Sequence, residues 1–407
     1  MRTDVVAATA WAFAALLVLA GGCSLQSSSP PQGKIVTRRA KRPHSVEARL
    51  FPPASPESQG MSTARLAELS ALLHRWCTSG RLSGAELLVV KNRRTVLHDS
   101  AGWRDRQRGL SMQRNQSFVL GPFTEPVTGT VAQRLVDEGV LSLESRVAEY
   151  LPAFDCPGKR EIQLRHLLAH QSGLAVQLPA GSLEGPGDVG QLAAAWARLD
   201  QDFPAGTRFR YSHGDVVVLA ALLERCAGRP LNDEIRERVI TPLGLQDTGN
   251  TPDGRIYSTA LDYARFLAAW VDAAESEGSN WLSSGAARRA WQPQTDVPLP
   301  TGFAETPISY GHKWMVAQHA EPAKSHPLRL FGHAGPAGSL AWVWPEQDLI
   351  VVCFCYVGDL STRLALEAAI QENLLQATEN SVAVLPAVPS QTPPAVQRES
   401  TGGAQGL

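Results

Sequence analysis

Hydrophobic positions early in the chain recur at the spacing of an α-helix. Between residues 62 and 77 they include Leu66, Leu69 and Leu73, which share one helical face. Ser62 stands directly before them and belongs to the residue types that cap helix N-termini. The pattern therefore predicts a helix over residues 62–77.

Short runs of apolar and β-branched residues predict strands at both ends of the chain. Residues 85–90 and 95–98 flank a turn at 91–93 and predict a hairpin. Three runs near the other end have the same character: 314–317, 340–344 and 349–356. An amphipathic helix is predicted to follow them at about 362–377.

The segment between these two groups of strands, from residue 122 to about residue 266, is predicted to be mostly helix and loop. Strands from both ends with helices between them predict one antiparallel sheet that is covered by helices and carries an inserted helical lobe. The predicted fold class is α/β, of the α+β type. This arrangement places a cleft between the two lobes.

The N-terminus has the pattern of an export signal. Arg2 precedes an apolar run over residues 5–20, which is shorter than the roughly 20 residues of a membrane-spanning helix. The run leads into Leu19-Ala-Gly-Gly-Cys23, which resembles a lipobox except that Ala20 replaces the usual leucine. Residues 1–23 are therefore predicted to direct export to the periplasm or cell envelope, with a lipid anchor at Cys23. The alternative is an ordinary secretory signal that contains a chance cysteine.

Composition divides the rest of the chain into three parts. Residues 24–54 are rich in serine, proline and basic residues, and residues 379–407 are rich in proline and glycine. Neither segment holds enough apolar residues to order itself, so a disordered tether and a disordered tail are predicted. Residues 55–378 are predicted to form a single domain.

The overall composition excludes some classes of partner. The chain has 407 residues, a formal net charge of −1, 43% hydrophobic residues and 19% charged residues. These values are ordinary for a globular protein, and a nearly neutral chain has no field that attracts nucleic acid. Nucleic-acid binding is therefore not expected.

No metal or other cofactor is predicted. The cysteines show no C-x-x-C pair and no metal-ligand spacing, and Cys353 and Cys355 are interpreted as small buried residues on one face of a strand. His166 and His170 are four residues apart, which is a spacing of zinc ligands on a helix. No third ligand can be named for them, so a zinc site is not expected.

Six ordered blocks of sequence resemble the β-lactamase-related family of serine hydrolases, which includes class C β-lactamases, DD-peptidases and esterases. The blocks lie at 118–126, 135–143 with 150–152, 162–174, 204–213, 242–248 and 332–335. The resemblance covers about residues 55–378 and implies a β-lactamase/transpeptidase-like fold.

In that family a serine lies three residues before a lysine at the start of a helix, so that the lysine can take the hydroxyl proton. Two backbone N–H groups, one of them the nucleophile's own, stabilise the oxyanion. Here Pro122 stands at the serine position and Glu125 at the lysine position. Because proline has neither a hydroxyl nor an N–H group, the nucleophile and one oxyanion donor are lost together.

The other motif positions are partly retained. The second motif keeps Tyr211 but has His213 in place of the usual asparagine, and the third motif keeps His333 and Gly335. None of the six lysines follows a serine by three residues, so the chain offers no displaced Ser-x-x-Lys pair. Glu125 is expected to reverse the charge of the pocket, to repel carboxylate substrates, and to pair with an imidazole and raise its pKa.

Two functions agree with these residues. The first is a catalytically inactive protein whose retained cleft, with Glu125, Tyr211, His213 and His333, binds a peptide, a cell-wall fragment or a protein partner. The second is a hydrolase in which Glu125, Tyr211 and His213 activate a water molecule. The first is preferred, because a cluster of titratable side chains is only probabilistic evidence of catalysis.

Overall fold

The computed structural model describes residues 51–377 apart from 181, 183–187, 252–253, 296–298, 300, 303–306, 320–327, 336–337 and 358. The predicted signal sequence with Cys23, most of the predicted tether and the predicted tail lie outside the described residues. The last residues of the predicted tether belong to the folded domain, because Phe51 is buried and Pro53 pairs with Thr95. In the described part of the chain, no helix combines the length and the hydropathy needed to cross a bilayer.

The helices and strands are numbered separately in chain order. The helices are α1 (Thr63–Thr78), α2 (Thr124–Asp137), α3 (Val147–Tyr150), α4 (Leu164–Leu168), α5 (Val189–Ala197), α6 (His213–Ala227), α7 (Leu231–Ile235), α8 (Thr241–Leu243), α9 (Ala260–Glu275), α10 (Ser284–Ala290) and α11 (Leu360–Ala377). The strands are β1 (Leu82–Lys91), β2 (Arg94–Asp105), β3 (Leu110–Ser111), β4 (Phe118–Val119), β5 (Gly249–Asn250), β6 (Ile256–Ser258), β7 (Ser309–Tyr310), β8 (Met315–Gln318), β9 (Leu328–Ala334), β10 (Gly338–Trp344) and β11 (Leu349–Val357).

The main sheet is assembled from the two ends of the domain. Its strand order is β3-β2-β1-β11-β10-β9-β8-β7, and every neighbouring pair is antiparallel. At the centre β1 pairs with β11, where Leu87 lies opposite Cys353. The long segment between β3 and β7 supplies the helical lobe and a small sheet of order β4-β6-β5. The predicted fold class and the origin of the sheet in the chain ends are confirmed.

Local sequence signals account for the first elements. The Ser62 hydroxyl accepts the N–H of Arg65 at the start of α1, as the helix prediction requires. The hairpin between β1 and β2 turns at Asn92 and Arg93, which have φ angles of 50° and 57°. Two successive residues at positive φ give a turn whose twist matches that of the paired strands.

The pattern of hydrophobic residues does not predict β9, which carries the third motif. Arg329 and Gly332 interrupt its run of apolar residues, and this hides the strand in the sequence. Gly332 is required there, because a methyl group on it would collide with the carbonyl oxygen of Ala341 on β10. The glycine thus lets the two strands approach each other.

Each face of the main sheet carries its own hydrophobic core. Along β11, Val352 and Phe354 pack into the core under the helical lobe, whereas Val351, Cys353 and Cys355 pack into the core under α1 and α11. Both cysteines are buried, as predicted. The 3-10 turn that precedes α2 contacts β9, so the helical lobe meets the sheet at the predicted cleft.

Candidate active site

Pro122 lies in the 3-10 turn Gly121–Phe123, directly before α2, and faces the end of β9. The neighbouring Phe123 is buried, with its ring edge-on to those of Tyr263 and Phe354 at centroid distances of 5.4 and 5.9 Å. A methyl group on Gly335 would lie 3.8 Å from Cγ and Cδ of Pro122. The structure thus places Pro122 beside Gly335 of the third motif, on the half-exposed rim of the site.

Glu125, in the first turn of α2, forms the centre of a buried polar network. Its carboxylate is 2% exposed. Oε1 accepts the hydroxyl of Tyr211 at 2.7 Å, and Oε2 lies 2.8 Å from Nε2 of His170. Oε2 also accepts Nζ of Lys313 at 3.1 Å and the hydroxyl of Tyr310 at 3.4 Å. We call these five residues the Glu125 network.

The network keeps Glu125 ionised. Burial opposes the charged form, but the charges of Lys313 and His170 and the hydrogen bond from His170 outweigh it and hold the pKa of Glu125 well below its usual range. Burial, and then the charge of Glu125, raise the pKa of Tyr211 far above its usual value. Glu125 is therefore a hydrogen-bond acceptor, and Tyr211 is a protonated donor to it.

Lys313 was not among the predicted site residues, and it corrects the expected charge of the pocket. It precedes β8 and adopts a left-handed φ of 64°, which is uncommon for a residue with a side chain. Its N–H donates to the carbonyl of Leu168 at 2.9 Å. Gly129 of α2 leaves room for it, because a methyl group there would lie 2.9 Å from Cβ of Lys313. The ammonium group therefore offsets the charge of Glu125.

The imidazole that pairs with Glu125 is that of His170. The prediction that Glu125 pairs with His213 or His333, its neighbours in the expected cluster, is wrong. His170 follows the end of α4 with φ of 54°, and its Nδ1 lies 3.2 Å from Oδ2 of Asp215. It therefore has a carboxylate at each ring nitrogen. His166 lies within α4, where its Nδ1 accepts the N–H of Gln163 at 3.1 Å. His166 and His170 thus make separate contacts.

His213 and His333 lie near the Glu125 network without joining it. His213 begins α6 with its ring centroid 6.0 Å from that of Tyr211, and in the described residues no hydrogen bond joins it to Glu125. His333 on β9 is 4% exposed, and neither ring nitrogen has a partner within the described ranges. Burial lowers the pKa of His213, and it lowers the pKa of His333 to about 4 despite the nearby Glu125. The expected rise in an imidazole pKa is therefore wrong for both.

The comparisons with curated proteins find relatives of several kinds. Protein Rv1367c of Mycobacterium tuberculosis is 29% identical over 379 residues, which cover 74% of this chain and 92% of that protein. Penicillin-binding protein 4 of Amycolatopsis lactamdurans is 26% identical over 279 residues, which cover 59% of this chain and 72% of that protein. Both alignments span most of the relative's length.

A solved structure and a family profile agree with these relatives. The penicillin-binding protein homologue of Pyrococcus abyssi has a TM-score of 0.61 at 19% identity and covers 78% of this chain and 80% of its own. At this identity the likeness concerns the fold. The profile described as Beta-lactamase matches residues 59–363, which is more than half of the chain. The chain therefore belongs to the beta-lactamase family of serine hydrolase-like proteins.

Proposed function

We propose that this chain is a catalytically inactive member of the family that binds a peptide, a cell-wall fragment or a protein partner in its retained cleft. The position of Pro122 carries this proposal. The residue that faces Gly335 at the start of α2 has no hydroxyl to attack a carbonyl group and no N–H to hold an oxyanion.

The end of β9 supports the same conclusion. The N–H of Gly335 donates to the carbonyl of Ser339 at 2.8 Å and is therefore engaged within the sheet. The next residue in the sequence is Pro336, which has no N–H by its chemistry. Because a single oxyanion donor contributes about 3 kcal/mol to the transition state of known hydrolases, the loss of donors on both sides removes most acyl-transfer catalysis.

The Glu125 network argues against the alternative hydrolase. A general base works best with a pKa near the operating pH, whereas the pKa of Glu125 is well below its usual range. Its two oxygens are occupied by the hydroxyl of Tyr211 on one side and by Lys313 and His170 on the other. A carboxylate in this state is a weak base and has little capacity left to orient a water molecule.

His333 supports a binding role. A buried polar group without a hydrogen bond costs about 1–3 kcal/mol, so such groups in native proteins call for an explanation. His333 precedes Gly335 by two residues, and Pro122, which lies beside Gly335, is partly exposed at the rim of the site. Because both ring nitrogens of His333 are covered by protein atoms, a ligand at this rim would supply the missing partner only after the rim side chains move aside. The deep floor is filled by the Glu125 network, so the contact is shallow.

The proposed location at the cell envelope, with a lipid anchor at Cys23, rests on the sequence pattern around that cysteine. Attachment by lipid predicts that metabolic labelling with palmitate tags the full chain and that Cys23→Ala abolishes the label. Release of unlabelled protein into the periplasm would support the export signal and contradict the lipid anchor.

The enzymatic question is tested with purified protein, a fluorescent penicillin and small nitrophenyl esters. We expect no covalent labelling and no ester turnover above that of a heat-denatured sample. Labelling at a stoichiometry near one would overturn the proposal. Turnover that disappears in Glu125→Gln and Tyr211→Phe samples shown to be folded by circular dichroism, but persists in the exposed control Glu68→Gln, would establish the alternative hydrolase instead.

A further inference from the structure

A second cavity lies beside α4, outside the cleft at Pro122. It is an open pocket of about 600 Å³. Its walls are mainly polar side chains, including Gln163, Arg165, His166, Gln171 and Gln294. Gln171 forms part of the pocket wall and directly follows His170 of the Glu125 network. The pocket and the network therefore share a segment of chain but no side chain.

The wall of this pocket is held in place by hydrogen bonds. The side-chain amide of Gln171 donates to the carbonyl of Gln294 at 2.6 Å. The N–H of Gly206 donates to the carbonyl of Gln171, and the N–H of Gln171 donates to the carbonyl of His166, both at 2.8 Å. These bonds join three separate loops, so the pocket is formed before any ligand arrives.

His166 presents a hydrogen-bond donor to the pocket. It is 8% exposed, and burial followed by the charge of Arg165 lowers its pKa to about 4, so the ring is neutral at pH 7. Nδ1 accepts the N–H of Gln163, which leaves the proton on Nε2. Nε2 has no partner in the described part of the chain. Gly206 leaves space in front of Nε2, because a methyl group there would lie 3.0 Å away.

One arginine of the pocket lies outside any ion pair in the described part of the chain. Arg165 is exposed and forms no ion pair with any described residue. The acidic residue of the pocket, Glu161, is paired with Arg146 at 3.1 Å. Glu144, another carboxylate near Arg165, accepts the hydroxyl of Ser142 at 2.5 Å instead. Arg165 is therefore available to an anion from solvent.

We propose that this pocket is a second binding site for a small ligand that carries a carboxylate next to an amide, as the C-terminus of a short peptide does. Arg165 pairs with the carboxylate, and the Nε2–H of His166 donates to it or to the adjacent carbonyl. The carboxamides of the glutamines offer both donors and acceptors, which match the N–H and C=O of an amide. This inference does not depend on whether the cleft at Pro122 is inactive.

The test uses the full chain and two probes, N-acetylglycylglycine and its C-terminal amide, titrated to about 10 mM while ligand signals are followed by saturation-transfer NMR. We expect the carboxylate probe to bind and the amide probe to bind at least about tenfold more weakly. Absence of binding by the carboxylate probe, or equal binding of both probes, would overturn the proposal.

Variants assign the binding to this pocket. Arg165→Gln is expected to weaken the carboxylate probe about tenfold, and Arg165→Glu to abolish its binding. Arg160→Gln is the matched control, since Arg160 is an exposed arginine five positions away that pairs with Asp155. It should bind as the wild type does. If Tyr211→Phe weakened the probe as much as Arg165→Gln, the probe would occupy the cleft at Pro122 and the second site would be refuted.

Discussion

The floor of the cleft at Pro122 is the Glu125 network, and its wall is His333 on β9. Both are buried and polar, but they differ in how many of their polar atoms have hydrogen-bond partners. On the floor, the carboxylate of Glu125 has contacts from four side chains. On the wall, the imidazole of His333 has no partner in the described residues. The two oxygens of Glu125 are fully engaged, whereas the two ring nitrogens of His333 make no hydrogen bond to any described residue.

The difference follows from charge. An ionised carboxylate cannot be buried without partners, because the desolvation cost of a lone charge exceeds the stability of a typical domain. A neutral imidazole can be buried unpaired at a cost of about 1–3 kcal/mol. Glu125 therefore needs its network for the protein to fold, whereas the protein can fold with the His333 nitrogens unpaired. The floor therefore stabilises the fold, and the proposed function places ligand recognition at the wall.

The largest effect is expected when the floor receives a second cation. Glu125→Lys removes the partner of Lys313 and buries two ammonium groups together. We therefore expect the free energy of unfolding to fall by more than about 5 kcal/mol. Adding Lys313→Met relieves the repulsion, and the urea midpoint of the double variant should lie well above that of Glu125→Lys. Equal midpoints would show that the two side chains do not interact.

The same background tests whether the serine position is assigned correctly. Pro122→Ser with Glu125→Lys and Lys313→Met restores a serine and lysine three residues apart without a second buried ammonium group. We expect a fluorophosphonate to label this triple variant, and to leave the variant that keeps Lys313 unlabelled. A folded triple variant that stays inert would argue against position 122 as the nucleophile position.

Removal of either partner of the buried ion pair has the next largest effect. Glu125→Gln and Lys313→Met should each cost about 3–5 kcal/mol of unfolding free energy, because each leaves an uncompensated group. The double variant should cost less than the sum by about 2 kcal/mol. Glu68→Gln, in the exposed pair with Arg65, is the matched control and should leave the urea midpoint unchanged. Additive effects would contradict a direct pair.

Stability should depend on the ionisation of Glu125 in acid. Because its pKa is lower in the folded than in the unfolded protein, its contribution is present above the unfolded value near 4.5 and is lost as the pH falls toward the folded value. Each pH unit over which only the unfolded state is protonated costs about 1.4 kcal/mol. Urea melts from about pH 7 to about pH 3 should show this loss in the wild type and a smaller one in Glu125→Gln with Lys313→Met.

The smallest effects separate the floor from the wall most sharply. Tyr211→Phe removes a 2.7 Å hydrogen bond to a carboxylate and should cost about 1.5–3 kcal/mol. His333→Phe removes nitrogens without partners and packs against the rings of Phe123 and Tyr310, so its cost should stay within about 1 kcal/mol. Thermal denaturation of both variants measures the difference. A larger loss of stability in His333→Phe than in Tyr211→Phe would show that the wall, and not the floor, stabilises the fold.

The sequence predicts the motif positions at the edge of the site, but it does not predict the Glu125 network at the floor. The ordered motifs indicate that Pro122 and Gly335 meet, because each motif is read from a few neighbouring residues. Lys313 and Glu125 are 188 positions apart, and no motif contains the lysine. The available signal was a rare lysine next to the buried run of β8, since a buried charge requires a partner. Which acid it would meet depends on packing across the domain.

The choice of His170 could not be predicted for a related reason. Several histidines surround the cleft, and a carboxylate can pair with any imidazole that the backbone brings within reach. The left-handed backbone at His170 turns its ring toward both Glu125 and Asp215. Backbone angles of this kind depend on tertiary contacts, so spacing in the sequence does not reveal them.

In the proposed function, the proline at position 122 leaves this cleft without acyl-transfer chemistry. Intact-protein mass spectrometry after prolonged incubation with excess fluorophosphonate tests it most directly. We expect an unmodified mass for the wild type and a single adduct, mapped to position 122, for the triple variant. A stoichiometric adduct on a cleft residue of the wild type would contradict it.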